Sequence, residues 1–181
     1  MTVTTEGSGM TDPDHQTVTP SDYQRDSIDE LASYIEREEE ATLRDRTGQE
    51  MDSQNLQRLI DKSERHEMSR HIVISPENAD SLDRQEMDSM AKRTLRDTLG
   101  EREGVDYAYA VHEDGGDRPH AHVAATGRAN GADDPLWLDA DDLQEMADVA
   151  HEHSLEVSRG KTLQKAVEIG LSQGKGVGMF R

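Results

Sequence analysis

Apolar and polar positions alternate from residue 105 to 112, turn formers follow at Gly115, Gly116 and Pro119, and alternation resumes from His120 to Thr126. Two period-two runs separated by glycine and proline predict a β-hairpin. Successive side chains of a strand point to opposite faces, so His120 and His122 share one. His112 joins them if the strands are antiparallel and pair close to the loop. Ala108, Ala110 and Ala124 fall on the histidine face, and Tyr107, Tyr109, Val111 and Val123 on the other. The bulky face is expected to bury against helices and the alanine face to leave open ground beside the histidines.

The flanking pattern completes a fold. Residues 1–20 are rich in Thr, Ser, Gly and Asp and predict a disordered segment. Ser21-Asp22 offers helix-starting chemistry before Ile28, Leu31, Tyr34 and Ile35 at helical spacing. Residues 36–66 are strongly polar, with Leu43, Met51, Leu56, Leu59 and Ile60 as anchors for helix or linker. Arg70-His-Ile-Val-Ile-Ser75, closed by Pro76, predicts a central strand. Leu82, Met87, Met90, Ala91, Leu95 and Leu99 then mark a helix stopped by Gly100. After a loop over residues 127–134, Leu136-Trp137-Leu138 predicts a short strand, and Asp139 caps a helix carrying Leu143, Met146, Ala147 and Ala150. This order implies an α+β class, with a mostly antiparallel central sheet flanked by helices.

Composition narrows the setting. Hydrophobic residues make up 32% and aromatic residues 3% of the 181 residues, so the core is modest and leans on alanine, valine and leucine. The formal charge of -19 comes from 39 acidic against 20 basic residues. So acidic and lysine-poor a surface suits a solvent whose salt screens self-repulsion, and we expect a salty cytoplasm. Disorder or mimicry of an acidic partner is the competing reading, against which the periodic segments from residue 70 argue. There are no cysteines, hence no disulfide and no thiolate metal site. No signal peptide or membrane-length apolar run is evident, so a cytoplasmic protein without a membrane partner is expected. From Ser158 the balance reverses: residues 158–181 hold Arg159, Lys161, Lys165, Lys175 and Arg181 against Glu168 alone. This basic, glycine-containing tail is either flexible or, through Gly174 to Gly178, a set of amides for a phosphate.

Three imidazoles on one face form a candidate metal site, because histidine is the commonest metal ligand. The pattern His112, Asp114, Pro119, His120 and His122 resembles the metal motif of the relaxases, or mobilisation nucleases, of the HUH endonuclease superfamily. The resemblance extends to the strand at Arg70 to Ser75 and to the strand and helix following the motif. Upstream, Leu31-Ala-Ser-Tyr34-Ile-Glu-Arg37 resembles the helix that carries the family's nucleophilic tyrosine. The similarity covers about residues 28–155 and is strongest over 70–150, so a nuclease domain over 21–157 is implied in an acidic, haloarchaeal-type version. Three departures stand out. The loop from Asp114 to His120 is one residue longer than usual, Thr126 replaces the usual asparagine, and Glu36 and Glu38 to Glu40 make the tyrosine helix acidic.

The resemblance implies a ferredoxin-like-derived HUH fold and metal-dependent nicking and strand transfer of single-stranded DNA through a tyrosyl-5′-phosphate, for plasmid mobilisation. It assigns His112, His120 and His122 to Mg²⁺ or Mn²⁺, and imidazole also suits Zn²⁺. Tyr34 is the implied nucleophile, with Tyr23 in reserve, and Asp114 orients a histidine or accepts a proton. Arg118, Arg128 and the basic tail are expected to meet DNA at a nick site, with accessory mobilisation proteins as further partners. The alternatives are a non-catalytic nucleic-acid-binding descendant of the fold and a rolling-circle replication initiator of the same superfamily.

Overall fold

The computed structural model describes residues 18–24, 28, 41–66, 69–112, 118–127, 136 and 138–174. Among these, β1 (Val18–Gln24), β2 (Arg44–Asp45), β3 (Ser69–Ile74), β4 (Asp106–His112) and β5 (His120–Thr126) form one sheet in the order β1-β3-β5-β4-β2. Every neighbouring pair is antiparallel. The named helices are α1 (Ser53–His66), α2 (Arg84–Leu95), prolonged by a wider turn over Arg96–Gly100, and α3 (Ala140–Gly174). The α+β class and the antiparallel sheet flanked by helices hold.

The two sheet faces differ because the alternation puts different residues on each. Ile72, Ile74, Tyr107, Tyr109, Val111, Ala121, Val123 and Ala125 share the bulky face, where Met87, Met90, Ala91 and Leu95 of α2 and Met146 and Ala150 of α3 cover them. Removing each such large side chain from water contributes roughly 1.5–3 kcal/mol, so this layer holds most of the stability. The alanine face is not open ground. Leu59 of α1 and Ile28 bury Ala108, Ala110 and Ala124, with Leu43, Met51, Leu56 and Ile60 packed around them. Small alanines let α1 approach the sheet closely, which is why a strongly polar stretch with few anchors still docks.

Caps fix where the helices begin. The Asp83 carboxylate accepts from the Glu86 amide at 2.9 Å, while the Glu86 carboxylate accepts from the Asp83 amide at 2.8 Å, a reciprocal capping box. Asp139 likewise accepts from the amides of Asp141 and Asp142, both at 2.9 Å. Gly127 ends β5 at φ +149, where a Cβ would stand 2.5 Å from the Gly104 carbonyl oxygen.

Several elements depart from the sequence reading. Val18–Gln24, expected as the end of a polar tail and the start of a helix, is instead the edge strand β1 beside β3. Strand pairing uses backbone groups, so a polar sequence can join an edge, and an edge is where Pro20 is tolerated. Leu136 and Leu138 are buried but not in a strand, and α3 passes through the composition shift at Ser158 to Gly174 without a break. Of the expected helix around Tyr34, only Ile28 is described; it is helical and buried. The remainder of that helix, Trp137 and most of the 127–134 loop lie outside the described residues.

Candidate metal centre

The hairpin register assembles the site. His112, the last residue of β4, pairs directly with His120, the first of β5, while His122 sits opposite Ala110 on one side and Val73 on the other. All three histidines therefore rise from one face, as the alternation predicted. His112 is buried at 1% exposed, and His120 and His122 are half-buried. The rings of His120 and His122 meet edge-on with centroids 4.8 Å apart, His112 is 4.8 Å from His122, and His112 stacks 5.7 Å from His120.

The hydrogen bonds orient two of these rings. His120 Nδ1 lies 2.9 Å from the Arg118 carbonyl oxygen, which can only accept, so that nitrogen carries the proton and Nε2 keeps its lone pair. His120 Nε2 is 3.0 Å from His122 Nε2, and His122 Nδ1 is 2.8 Å from Nε2 of His71. His71 was not among the sequence candidates. Its place in Arg70-His71-Ile72-Val73-Ile74 put it on the polar face of β3, but nothing local revealed that β3 lies against β5, with His71 paired to Ala124 and diagonal to His122.

Among the described residues, no group of three or more His, Cys, Asp or Glu side chains stands ready in a metal-holding arrangement. What is present is a hydrogen-bonded histidine row whose spacing suits a cation. Two adjacent ligands of an octahedral ion at about 2.1 Å are separated by about 3.0 Å. The two Nε2 atoms are 3.0 Å apart. Three imidazole nitrogens are donors of a chemical kind that divalent cations accept.

The other sequence candidates divide. Arg118 is exposed and bonded to Asp80 at 3.1 Å and to the Glu77 carbonyl, while its own carbonyl holds His120. Tyr34, Asp114 and Arg128 lie outside the described residues. Tyr23 is in β1 at the register position of Arg70. Tyr107 and Tyr109 are buried on the opposite face, and burial pushes both phenols above their ordinary range. That makes them poor nucleophiles. A basic row was also missed: Arg58, Lys62 and Arg65 of α1, at helical spacing, line a shallow groove with Arg46, Asp45 and Asp106, and Lys62 pairs with Asp106 at 3.4 Å. No helix of the described residues is long and apolar enough to cross a membrane.

The family model for the relaxase nuclease domain, MobA/VirD2-like, matches residues 34–157. The chain belongs to the relaxase family. No curated protein and no solved structure matched. The relaxase match includes β2 to β5 and α1 to α2, enters α3, begins at Tyr34, and leaves Tyr23 outside. Relaxases are nucleases generally associated with nicking of single-stranded DNA.

Proposed function

We propose that this relaxase domain is a site-specific DNA transesterase that nicks single-stranded DNA for plasmid mobilisation, with His112, His120 and His122 as ligands of one Mg²⁺ or Mn²⁺. The observation that carries the reading is the pairing of His112 with His120 in a register that also brings His122 Nε2 within 3.0 Å of His120 Nε2. A divalent cation, when bound, polarises a phosphate oxygen and offsets the charge developing there.

The nucleophile in this reading is Tyr34, the first residue of the family match. A phenol with a reference pKa near 10 is about one part in a thousand ionised at pH 7, so forming the phenolate costs roughly 4 kcal/mol. The Tyr34 oxygen attacks phosphorus as the bond to the 3′ oxygen breaks. The phenol proton passes to Asp114 or to solvent, and the departing 3′ oxygen takes one up. The products are a 5′-phosphotyrosyl link and a free 3′ hydroxyl, and the reverse attack by another 3′ hydroxyl completes strand transfer.

A chain of charge -19 repels a phosphate backbone, so local basic positions must hold the strand. Arg118 serves if it exchanges Asp80 for phosphate, Arg128 follows β5 in the sequence, and the α1 row of Arg58, Lys62 and Arg65 adds a second contact. Phosphate affinity falls steeply with salt, whereas base stacking tolerates it better. The test is incubation with single-stranded oligonucleotides and Mn²⁺ in high salt. A denaturant-resistant protein-DNA complex that is lost in His120→Ala, His122→Ala and Tyr34→Phe supports the reading. A complex indifferent to all three substitutions overturns it.

A further inference from the structure

We infer that His71 is a positioning residue that sets the tautomer of His122, so that His122 presents a bare Nε2 to the cation. The inference rests on the three-histidine site proposed above and assigns to β3 a role that the metal motif itself does not contain.

The proton positions follow from the contacts. The Arg118 carbonyl fixes the His120 proton on Nδ1, leaving His120 Nε2 an acceptor. With neutral imidazoles and no cation, the 3.0 Å contact places a proton on His122 Nε2. His122 Nδ1 is then bare, and at 2.8 Å it accepts from His71 Nε2. With a cation held by both Nε2 atoms, neither can carry a proton. The His122 proton must sit on Nδ1 and be donated to His71 Nε2, so His71 changes from donor to acceptor.

Only a side chain able to do both serves both states, and imidazole is one. The fold holds it in place: His71 is half-buried in a central strand, and its ring stacks on His122 with centroids 5.0 Å apart and planes 19° apart. A residue that hydrogen-bonds the far nitrogen of a metal-bound histidine fixes ring orientation and raises ligand basicity. His71 meets the far nitrogen of His122 in this geometry.

Two readouts on the full chain test this without reference to DNA cleavage. In calorimetric titration with Mn²⁺, His71→Leu is expected to weaken binding about 10- to 100-fold, and His71→Gln, whose amide can donate or accept, to recover most of the loss. Nitrogen-15 spectra of the wild type need no variant: the His122 proton is expected on Nε2 without metal and on Nδ1 with Zn²⁺. Mn²⁺ binding by the wild type that is undiminished in His71→Leu, or a His122 tautomer that does not move when metal binds, overturns this inference alone. Failure of the wild type to bind any divalent ion overturns it together with the site proposed above.

Discussion

Replacing Leu59 with alanine tests whether α1 closes the alanine face. Leu59 is 4% exposed and, with Ile28, supplies the bulk of a cluster whose other members are Ala108, Ala110 and Ala124. Buried leucine-to-alanine changes cost about 2–5 kcal/mol, the larger values where neighbours cannot collapse into the cavity. Alanine methyls on a paired sheet have no reach, and only partly buried neighbours such as Met51, Leu56 and Ile60 can lean in, so the middle of that range applies, about 3–4 kcal/mol. Against a typical domain stability of about 5–15 kcal/mol, this is a large fraction. Urea unfolding of Leu59→Ala is expected to show a lower midpoint with an unchanged slope. Leu163, which is 67% exposed on α3, provides the control, and its alanine variant should stay within about 0.5 kcal/mol of wild type. A loss below about 1 kcal/mol for Leu59→Ala would mean that α1 does not seal this face in solution, and the close docking inferred here would fail.

Three further outcomes follow from particular contacts. Gly127→Ala adds a methyl 2.5 Å from the Gly104 carbonyl oxygen at φ +149, and thermal unfolding should report a loss of at least about 2 kcal/mol; an unchanged midpoint would contradict the close approach. Hydrogen bonding from the Glu86 amide holds the Asp83 carboxyl below its ordinary value of 3.8. A depressed carboxyl stabilises the fold above its unfolded pKa and loses that contribution as pH falls through the folded one. Asp83→Ala should thus cost about 1 kcal/mol at pH 7, with the gap from wild type closing below pH 3.8; a gap independent of pH would show the cap charge to be irrelevant. The excess of 39 acidic over 20 basic residues should make stability rise with salt, as the screening length falls from about 10 Å at 0.1 M to about 3 Å at 1 M. Denaturation midpoints that do not move across a KCl series would remove the argument for a salty setting.

Local periodicity made the central hairpin legible. Alternation and turn chemistry separated Tyr107, Tyr109, Val111 and Val123 from the alanines and histidines, and pairing close to the loop brings His112 level with His120. What stayed hidden was set by pairing across long sequence separations. His71 reads as one polar residue in a strand until β3 is laid against β5, some fifty positions later. The edge strand β1 joins the sheet through backbone pairing, and its sequence Val18-Thr-Pro-Ser-Asp-Tyr-Gln24 carries no amphipathic signal. The covering of Ala108, Ala110 and Ala124 was missed for a related reason: its apolar residues are sparse among polar ones, and the smallness of the facing alanines is what makes Leu59 and Ile28 sufficient. Continuation of α3 past Ser158 is obscured in the sequence by the shift in charge, which changes the solvated face without interrupting the helix, since lysine, arginine and leucine are all good helix formers.

Pulsed electron spin resonance of the Mn²⁺-loaded protein addresses the central claim directly, because nitrogen nuclei of coordinated imidazoles couple to the metal electron spin. Coupling to three histidine nitrogens is expected, with one lost in each of His112→Ala, His120→Ala and His122→Ala. A spectrum lacking histidine nitrogen coupling, or one unaltered by these substitutions, would contradict a shared cation on the β4-β5 face.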